Sequence, residues 1–307
     1  MNRLIELKTT PPLLITLTLL CFTLLPKAQA VSPPPPGGYP NFTTAAGDNA
    51  LQALTSGVGN TAIGTFSLFS VTTGNFNTAV GAGALDLNTA DSNTATGAAA
   101  LLFNTTGTVN TAIGTAALEF NDTGTNNTAN GAFALFSNTT GSANAANGGN
   151  ALVSNTTGNG NTATGAAALH NNTAGTSNTA SGGDALVSNT TGNQNTATGA
   201  GALFNNTAGI GNRALGFGAG SRVTTASNVI CIGANVTGAN VDNTCFVDNI
   251  RGVTTQNADA IPVLIDSVGQ LGTASSSARF KKEIKAMDKV SEAILTLKAS
   301  NLSLQER

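Results

Sequence analysis

The chain has 307 residues, of which only 9% are charged and 5% aromatic, with no Trp, 36 Gly and a formal net charge of −2. Between Gly47 and Gly220 the only basic residue is Arg213, which excludes a phosphate-tracking surface there, since such surfaces need clustered Lys and Arg. The low charge and the Gly, Asn, Thr and Ala bias would suit disorder, but the bias is periodic, so the chain is read first for repeats.

Residues 1–30 read as an export signal: Arg3 and Lys8 supply positive charge, Pro12 to Leu25 is an apolar run, and Ala28-Gln29-Ala30 fits a small-residue cleavage site. The run is short and Thr-rich for a membrane span. The expected mature protein is secreted or held at the cell surface, with no membrane span after cleavage. It retains Cys231 and Cys245. After export these two either pair as a disulfide or stay as two separate buried thiols, and the sequence leaves both open. Residues 31–46 form a Pro-rich spacer, whose four consecutive prolines favour an extended polyproline conformation.

Residues 47–220 carry a repeat with the consensus N-T-A-x-G-x-x-A-L-x-x-N-T-T-G-x-x. The first Asn recurs from Asn60 to Asn212 at a spacing of 17, except for one spacing of 16 between Asn77 and Asn93. The short unit has lost a residue after Leu85, where the other units carry Gly in the loop. Seventeen residues cannot hold a helix–turn–helix repeat, which needs about 33, and Asn, Thr and Gly are poor in helix interiors. The predicted fold class is therefore all-β: a parallel β-solenoid with one coil per repeat, each coil holding two short strands and two turns. The Asn-Thr-Thr-Gly segment is expected to supply the turns, because Asn and Gly tolerate positive φ. Stacking places Asn on Asn and Thr on Thr about 4.8 Å apart, forming side-chain ladders. The core is expected to hold two Ala, one Leu and one variable residue per coil (Ile63, Val80, Thr96, Ile113, Asn130). So thin a core predicts that the solenoid buries a face against copies of itself, in closed symmetry.

The segments Asn60-Thr61-Ala62-Ile63-Gly64 and Asn110-Thr111-Ala112-Ile113-Gly114 resemble the head repeats of YadA-like trimeric autotransporter adhesins. That resemblance implies a β-roll packed as a homotrimer, with a host matrix protein, a glycan or another surface component as partner. Residues 221–274 read as a β-rich stalk or neck, with a hairpin over Pro262 to Leu271 and its turn near Val268-Gly269.

From residue 275 the run Ser275-Ser276-Ser277-Ala278-Arg279-Phe280-Lys281-Lys282-Glu283-Ile284 resembles the start of the peptidase S74 intramolecular chaperone of phage tail fibres and endosialidases. The resemblance implies a self-cleaving dyad of Ser276 and Lys281. A Ser hydroxyl needs a base, and a desolvated Lys can serve as one. The residues alone also fit a Ser-rich linker capping a basic amphipathic helix, since Ile284, Met287, Val290, Ile294 and Leu297 recur at helical spacing. The chain ends 31 residues after Ser276, fewer than the roughly 50 of a small domain. Residues 275–307 are accordingly expected to be a truncated chaperone start that does not cut itself.

Elsewhere, His170 occupies the repeat position held by Phe69, Asp86, Phe136 and Phe204, and is expected to be a surface residue. No Cys and His cluster has metal-ligand spacing, no carboxylate pair suits acid–base chemistry, and no metal or cofactor is expected. The favoured function is a structural or adhesive surface fibre. The second is an ice-binding solenoid, on the rank of Thr61, Thr78, Thr94, Thr111 and Thr128, although the positions beside that rank vary.

Overall fold

The computed structural model describes residues 40–250, 263–267 and 269–273. It falls into two units, residues 1–251 and 252–307. The dyad residues Ser276 and Lys281, the apolar helical pattern around them, and the export signal lie outside the described residues.

The first unit is a parallel β-solenoid. Thirteen three-residue strands form one sheet in chain order. They are β1 (Thr44–Ala46), β2 (Thr61–Ile63), β3 (Thr78–Val80), β4 (Thr94–Thr96), β5 (Thr111–Ile113) and β6 (Thr128–Asn130). There follow β7 (Ala145–Asn147), β8 (Thr162–Thr164), β9 (Thr179–Ser181), β10 (Thr196–Thr198), β11 (Arg213–Leu215), β12 (Ile230–Ile232) and β13 (Cys245–Val247). Each strand pairs with the equivalent residues of the next, as in Thr61↔Thr78 and Ala62↔Ala79. The stack therefore extends past the clear repeat to Val247. In the second unit, β14 (Val263–Ile265) and β15 (Leu271–Thr273) form an antiparallel hairpin. Gly269 stands in its turn at φ 84° and donates to the Asp266 carbonyl.

Each coil contains one strand, not the two expected. On the opposite side the Gly-x-x-Ala-Leu stretch turns left-handed at its third and fifth residues, as at Phe133 (φ 59°) and Leu135 (φ 53°). Stacking hydrogen bonds nevertheless continue around the coil. Gly131 and Phe133 donate back to Ile113 and Thr115, while Leu135 and Ser137 donate forward to Ala151 and Val153. A left-handed Leu costs about 1–2 kcal/mol. Full burial of its side chain is worth about 1.5–3 kcal/mol, so the packing holds the strained backbone in place.

The interior differs from expectation in one further respect. The variable residue does not face inward: Ile63 and Ile113 are 43% and 45% exposed, whereas the Ala before each is fully buried. A three-residue strand can point only its middle side chain inward, because side chains alternate across a strand. Asn takes the remaining interior space. One buried ladder runs from Asn60 to Asn212 and a second from Asn88 to Asn206. In the first, the backbone N–H of each Asn donates to Oδ1 of the Asn one coil earlier, as Asn127 does to Asn110 at 3.0 Å. In the second, the side chains bond directly, as Asn138 Nδ2 does to Asn121 Oδ1 at 2.7 Å.

The two ladders meet at one acceptor per coil. The Gly141 carbonyl receives Asn127 Nδ2 at 2.8 Å and Asn138 Nδ2 at 2.9 Å. This assigns the turn chemistry differently. The Gly of Asn-Thr-Thr-Gly is needed for space and not for positive φ: a Cβ at Gly124 would lie 2.4 Å from the Gly141 oxygen and 2.5 Å from Asn121 Oδ1. Positive φ belongs instead to the Gly after the strand, as at Gly114 (φ 132°).

Three of the four ladder ends meet apolar residues, and the fourth, before Asn60, meets the buried Thr43. Val71 and Val223 stand one repeat before and after the second ladder, and Val229 follows the first; all three are buried. At both ends of the second ladder the amides of the two ladders bond to each other, Asn93 Nδ2 to Asn88 Oδ1 at 3.2 Å and Asn212 Nδ2 to Asn206 Oδ1 at 3.1 Å.

Two substitutions test this account. Asn138→Ala leaves Asn121 Oδ1 without its donor, at about 1–3 kcal/mol for a buried group left unpaired, with a cavity term in addition. Chemical denaturation should show at least that loss, and a variant as stable as wild type would refute the ladder as an energetic element. Gly114→Ala should cost several times more than Gly201→Ala. A Cβ at Gly114 would lie 2.6 Å from backbone atoms of Gly131, whereas at Gly201 (φ 64°) it meets nothing within 4 Å. Gly201→Ala then carries only the left-handed backbone cost of about 1–2 kcal/mol.

Candidate functional surface

With Ala inside, each strand presents two outward side chains, and stacking arranges these in two columns. The first column is Thr in β1–β6 and in β8–β10, with Ala145 in β7. The second changes along the rod. It is mainly apolar at Ile63, Val80 and Ile113, amide at Asn130 and Asn147, and hydroxyl at Thr164, Ser181 and Thr198. Asn130 Nδ2 reaches Asn147 Oδ1 at 3.4 Å. Arg213 in β11 is the first charged side chain in either column. Over β8–β10 the two columns together form a patch of six hydroxyl side chains on adjacent strands.

A separate strip follows the residues just after the buried Leu. Phe103 and Phe120 stack with ring centroids 5.1 Å apart, and Phe120 meets Phe136 edge-on at 4.9 Å. Phe103 and Phe120 are about two-fifths exposed. Two carboxylates interrupt this otherwise largely apolar strip. Asp86 follows Leu85 as Phe69 follows Leu68, and its Oδ1 is buried without a hydrogen-bond partner. Burial raises the pKa of Asp86, and likewise that of Glu119.

His170 is half-buried at its repeat position, with Nδ1 2.9 Å from Asn171 Oδ1. Cys231 is buried and Cys245 exposed, and both are free thiols. In the β12–β13 register Cys245 pairs with Ile230 and Cys231 with Phe246. The two thiols therefore sit one position apart, on opposite faces of the sheet, which excludes a bridge in this arrangement and corrects the idea of two buried thiols. Several Asn of Asn-x-Thr triplets, including Asn104, Asn138 and Asn155, are fully buried ladder members, closed to glycan attachment in the folded chain. Among the described residues no three His, Cys, Asp or Glu side chains are grouped to hold a metal ion.

The short coil makes a local break. Ala90 stands where other coils have the ladder-bridging Gly, and its carbonyl accepts from Asn77 Nδ2 at 2.8 Å and Asn88 Nδ2 at 2.9 Å. The missing residue is thus the one between Thr89 and Ala90, the counterpart of Thr73 and Thr106 in the neighbouring coils. An open depression of about 420 Å³ lies there, lined by Thr73, Asn75, Thr89, Asp91, Thr106 and Thr108.

The carboxylate strip yields a pH prediction. A raised pKa in the folded state means that folding disfavours the ionised form. Stability is therefore reduced while Asp86 is ionised, and is regained as pH falls from its folded pKa towards the ordinary carboxylate value. Asp86→Leu should raise the Tm at pH 7 and reduce the gain seen on mild acidification. An unchanged Tm and an unchanged acid response would show that the buried oxygen carries no penalty. No family model, curated protein or solved structure matches the chain.

Proposed function

We propose that this chain is a secreted or surface-exposed structural fibre whose solenoid serves as an adhesin-type head, assembled as a homotrimer. The single observation that carries this reading is the pair of outward columns. Uncharged side chains repeat at the strand spacing from β1 to β10, and their chemistry changes in blocks along the rod. Such a surface suits an extended partner that makes many weak contacts, whose strengths combine when the binding units are linked. The exposed Phe strip and Ile63 and Ile113 add apolar area, and contiguous apolar patches on soluble proteins commonly mark contact sites. The Ser276–Lys281 motif, which resembles that of tail-fibre chaperones, supports the fibre reading.

A second reading has its own observation. The hydroxyl patch of Thr162, Thr164, Thr179, Ser181, Thr196 and Thr198 is regular in two directions, with strands about 4.8 Å apart and side chains two residues apart along each strand. A flat array of this kind can order water against an ice surface.

Purified mature protein should sediment as a trimer and bind matrix proteins or glycans in a screen, without measurable thermal hysteresis. A monodisperse monomer that binds none of them would overturn the adhesive reading. Clear hysteresis that Thr179→Tyr abolishes would establish the second one.

A further inference from the structure

Within residues 47–220 the depression at the short coil interrupts the outer corner of the repeat, and its chemistry differs from that of the columns. Residues at the second Thr of Asn-Thr-Thr-Gly stack one per coil, but between Thr73 and Thr106 the member is missing. Those two Thr therefore stand two strand spacings apart, about 10 Å, with Thr89, Ala90 and Asp91 between them. This width matches a single pyranose ring.

The groups around the gap have hydrogen-bonding capacity to spare. Asp91 Oδ1 accepts from the Asn75 backbone N–H at 2.6 Å and from Asn75 Nδ2 at 3.2 Å, while Asp91 Oδ2 has no partner among the described residues. The carboxylate is thus fixed by one oxygen and open at the other. The hydroxyls of Thr73, Thr106 and Thr108 likewise have no partner among the described residues. Only Thr89 is committed, its Oγ1 donating to the Thr105 carbonyl at 2.8 Å. Asp91 and three of the Thr line the gap close to solvent.

From this we infer that the gap left by the deleted residue is a binding subsite for one neutral sugar unit, the Asp91 carboxylate accepting from sugar hydroxyls and the flanking Thr hydroxyls completing the contacts. A few placed polar groups commonly fix the orientation of a small ligand in this way. The charge selects the ligand class. The lining has one carboxylate and no Lys or Arg, which disfavours phosphate, sulfate and sialic acid. A calcium ion would require six to eight oxygen ligands, usually including several carboxylates, and one carboxylate among hydroxyls falls short. The site is shallow, so single-site affinity is expected in the millimolar range, and linked copies would strengthen attachment.

This inference rests on the adhesive reading and is tested apart from it. Full-length mature protein is probed by saturation-transfer NMR with methyl glycosides of galactose, glucose, mannose and N-acetylglucosamine, with sialic acid as the anionic control. Two variants accompany wild type. Asp91→Asn keeps an acceptor for Asn75 and removes the charge. The repaired coil carries Ala90→Gly and one Thr inserted after Thr89, which restores the 17-residue repeat and fills the gap. The expected result is transfer to at least one neutral glycoside, reduced about tenfold in Asp91→Asn and lost in the repaired coil, with Tm maintained in both. No transfer to any neutral glycoside by wild type, or undiminished transfer in the repaired coil, would overturn it. If the repaired coil loses glycoside transfer yet binds matrix proteins as wild type does, both readings stand; if wild type binds matrix proteins but shows no glycoside transfer, the adhesive reading stands and the subsite falls.

Discussion

The coils in which both ladders run each hang on one shared acceptor: a carbonyl, that of Gly in all but the short coil, which two buried Asn side chains reach from different ladders. A coil with one buried Leu and small Ala side chains beside it cannot fill its interior with apolar side chains alone. Asn solves the problem because its amide carries donors and an acceptor, and a stack of identical coils offers each amide the same partners above and below. The arrangement is also unforgiving, since a buried amide that loses a partner cannot turn to water. That accounts for the near-invariance of both Asn positions along the rod and for the apolar Val71, Val223 and Val229 where the ladders stop.

The ladder geometry then dictates the rest of the coil. Bringing two amides to one carbonyl crowds the backbone, so the residue bearing that carbonyl is Gly wherever the coil has its full length. Closing a coil in 17 residues requires the chain to reverse sharply. The reversal is made by alternating left-handed residues, including the Leu whose side chain is fully buried. Strain of this kind persists only where the surroundings over-determine it, and here the neighbouring coils do so by stacking identical Leu and Ala above and below. The same closeness of coils demands Gly after each strand.

How much of this was legible in the sequence depended on what the signal was. Parallel stacking, coil length, the inward Leu and Ala, and the aligned rows of Asn at the start of each unit followed from periodicity, because identical residues at a fixed spacing can align only by stacking. The role of the Asn in Asn-Thr-Thr-Gly did not follow. Asn and Gly together suggest a turn on local grounds, and nothing local reveals that this Asn is bonded to its counterpart in the next coil. The direction of Ile63 was misjudged for a related reason: an apolar residue beside a buried Ala invites an inward assignment, but a three-residue strand has room for only one. The Asn that heads the unit showed its register but not that its side chain serves the backbone of the following coil. The candidate surface was half visible, as a Thr rank. The block structure of the column beside it was there to be read, but had no meaning until that column was known to face outward. The depression at the short coil was signalled only by a spacing of 16, and its chemistry became apparent once the missing residue was located between two Thr.

These observations divide the coil into positions with different freedom. Inside, Asn, Ala, Leu and Gly are held by contacts with both neighbouring coils, and a change in one coil disturbs three. Outside, the second column varies from Ile to Asn to Thr without altering strand pairing, because its side chains leave the sheet on the side away from the ladders. The strip after Leu varies as widely, from Phe to Asp to His. A scaffold that fixes the interior this tightly can alter its exposed chemistry coil by coil at little cost in stability. Even the loss of a whole residue is absorbed at the outer corner, where Ala90 takes over the bridging carbonyl, the first ladder passes through unbroken and the second begins at Asn88. The physical division between a constrained interior and a permissive exterior is what allows a single rod to present an apolar block, an amide block and a hydroxyl block in succession along one continuous sheet, with a gap at the outer corner beside the first.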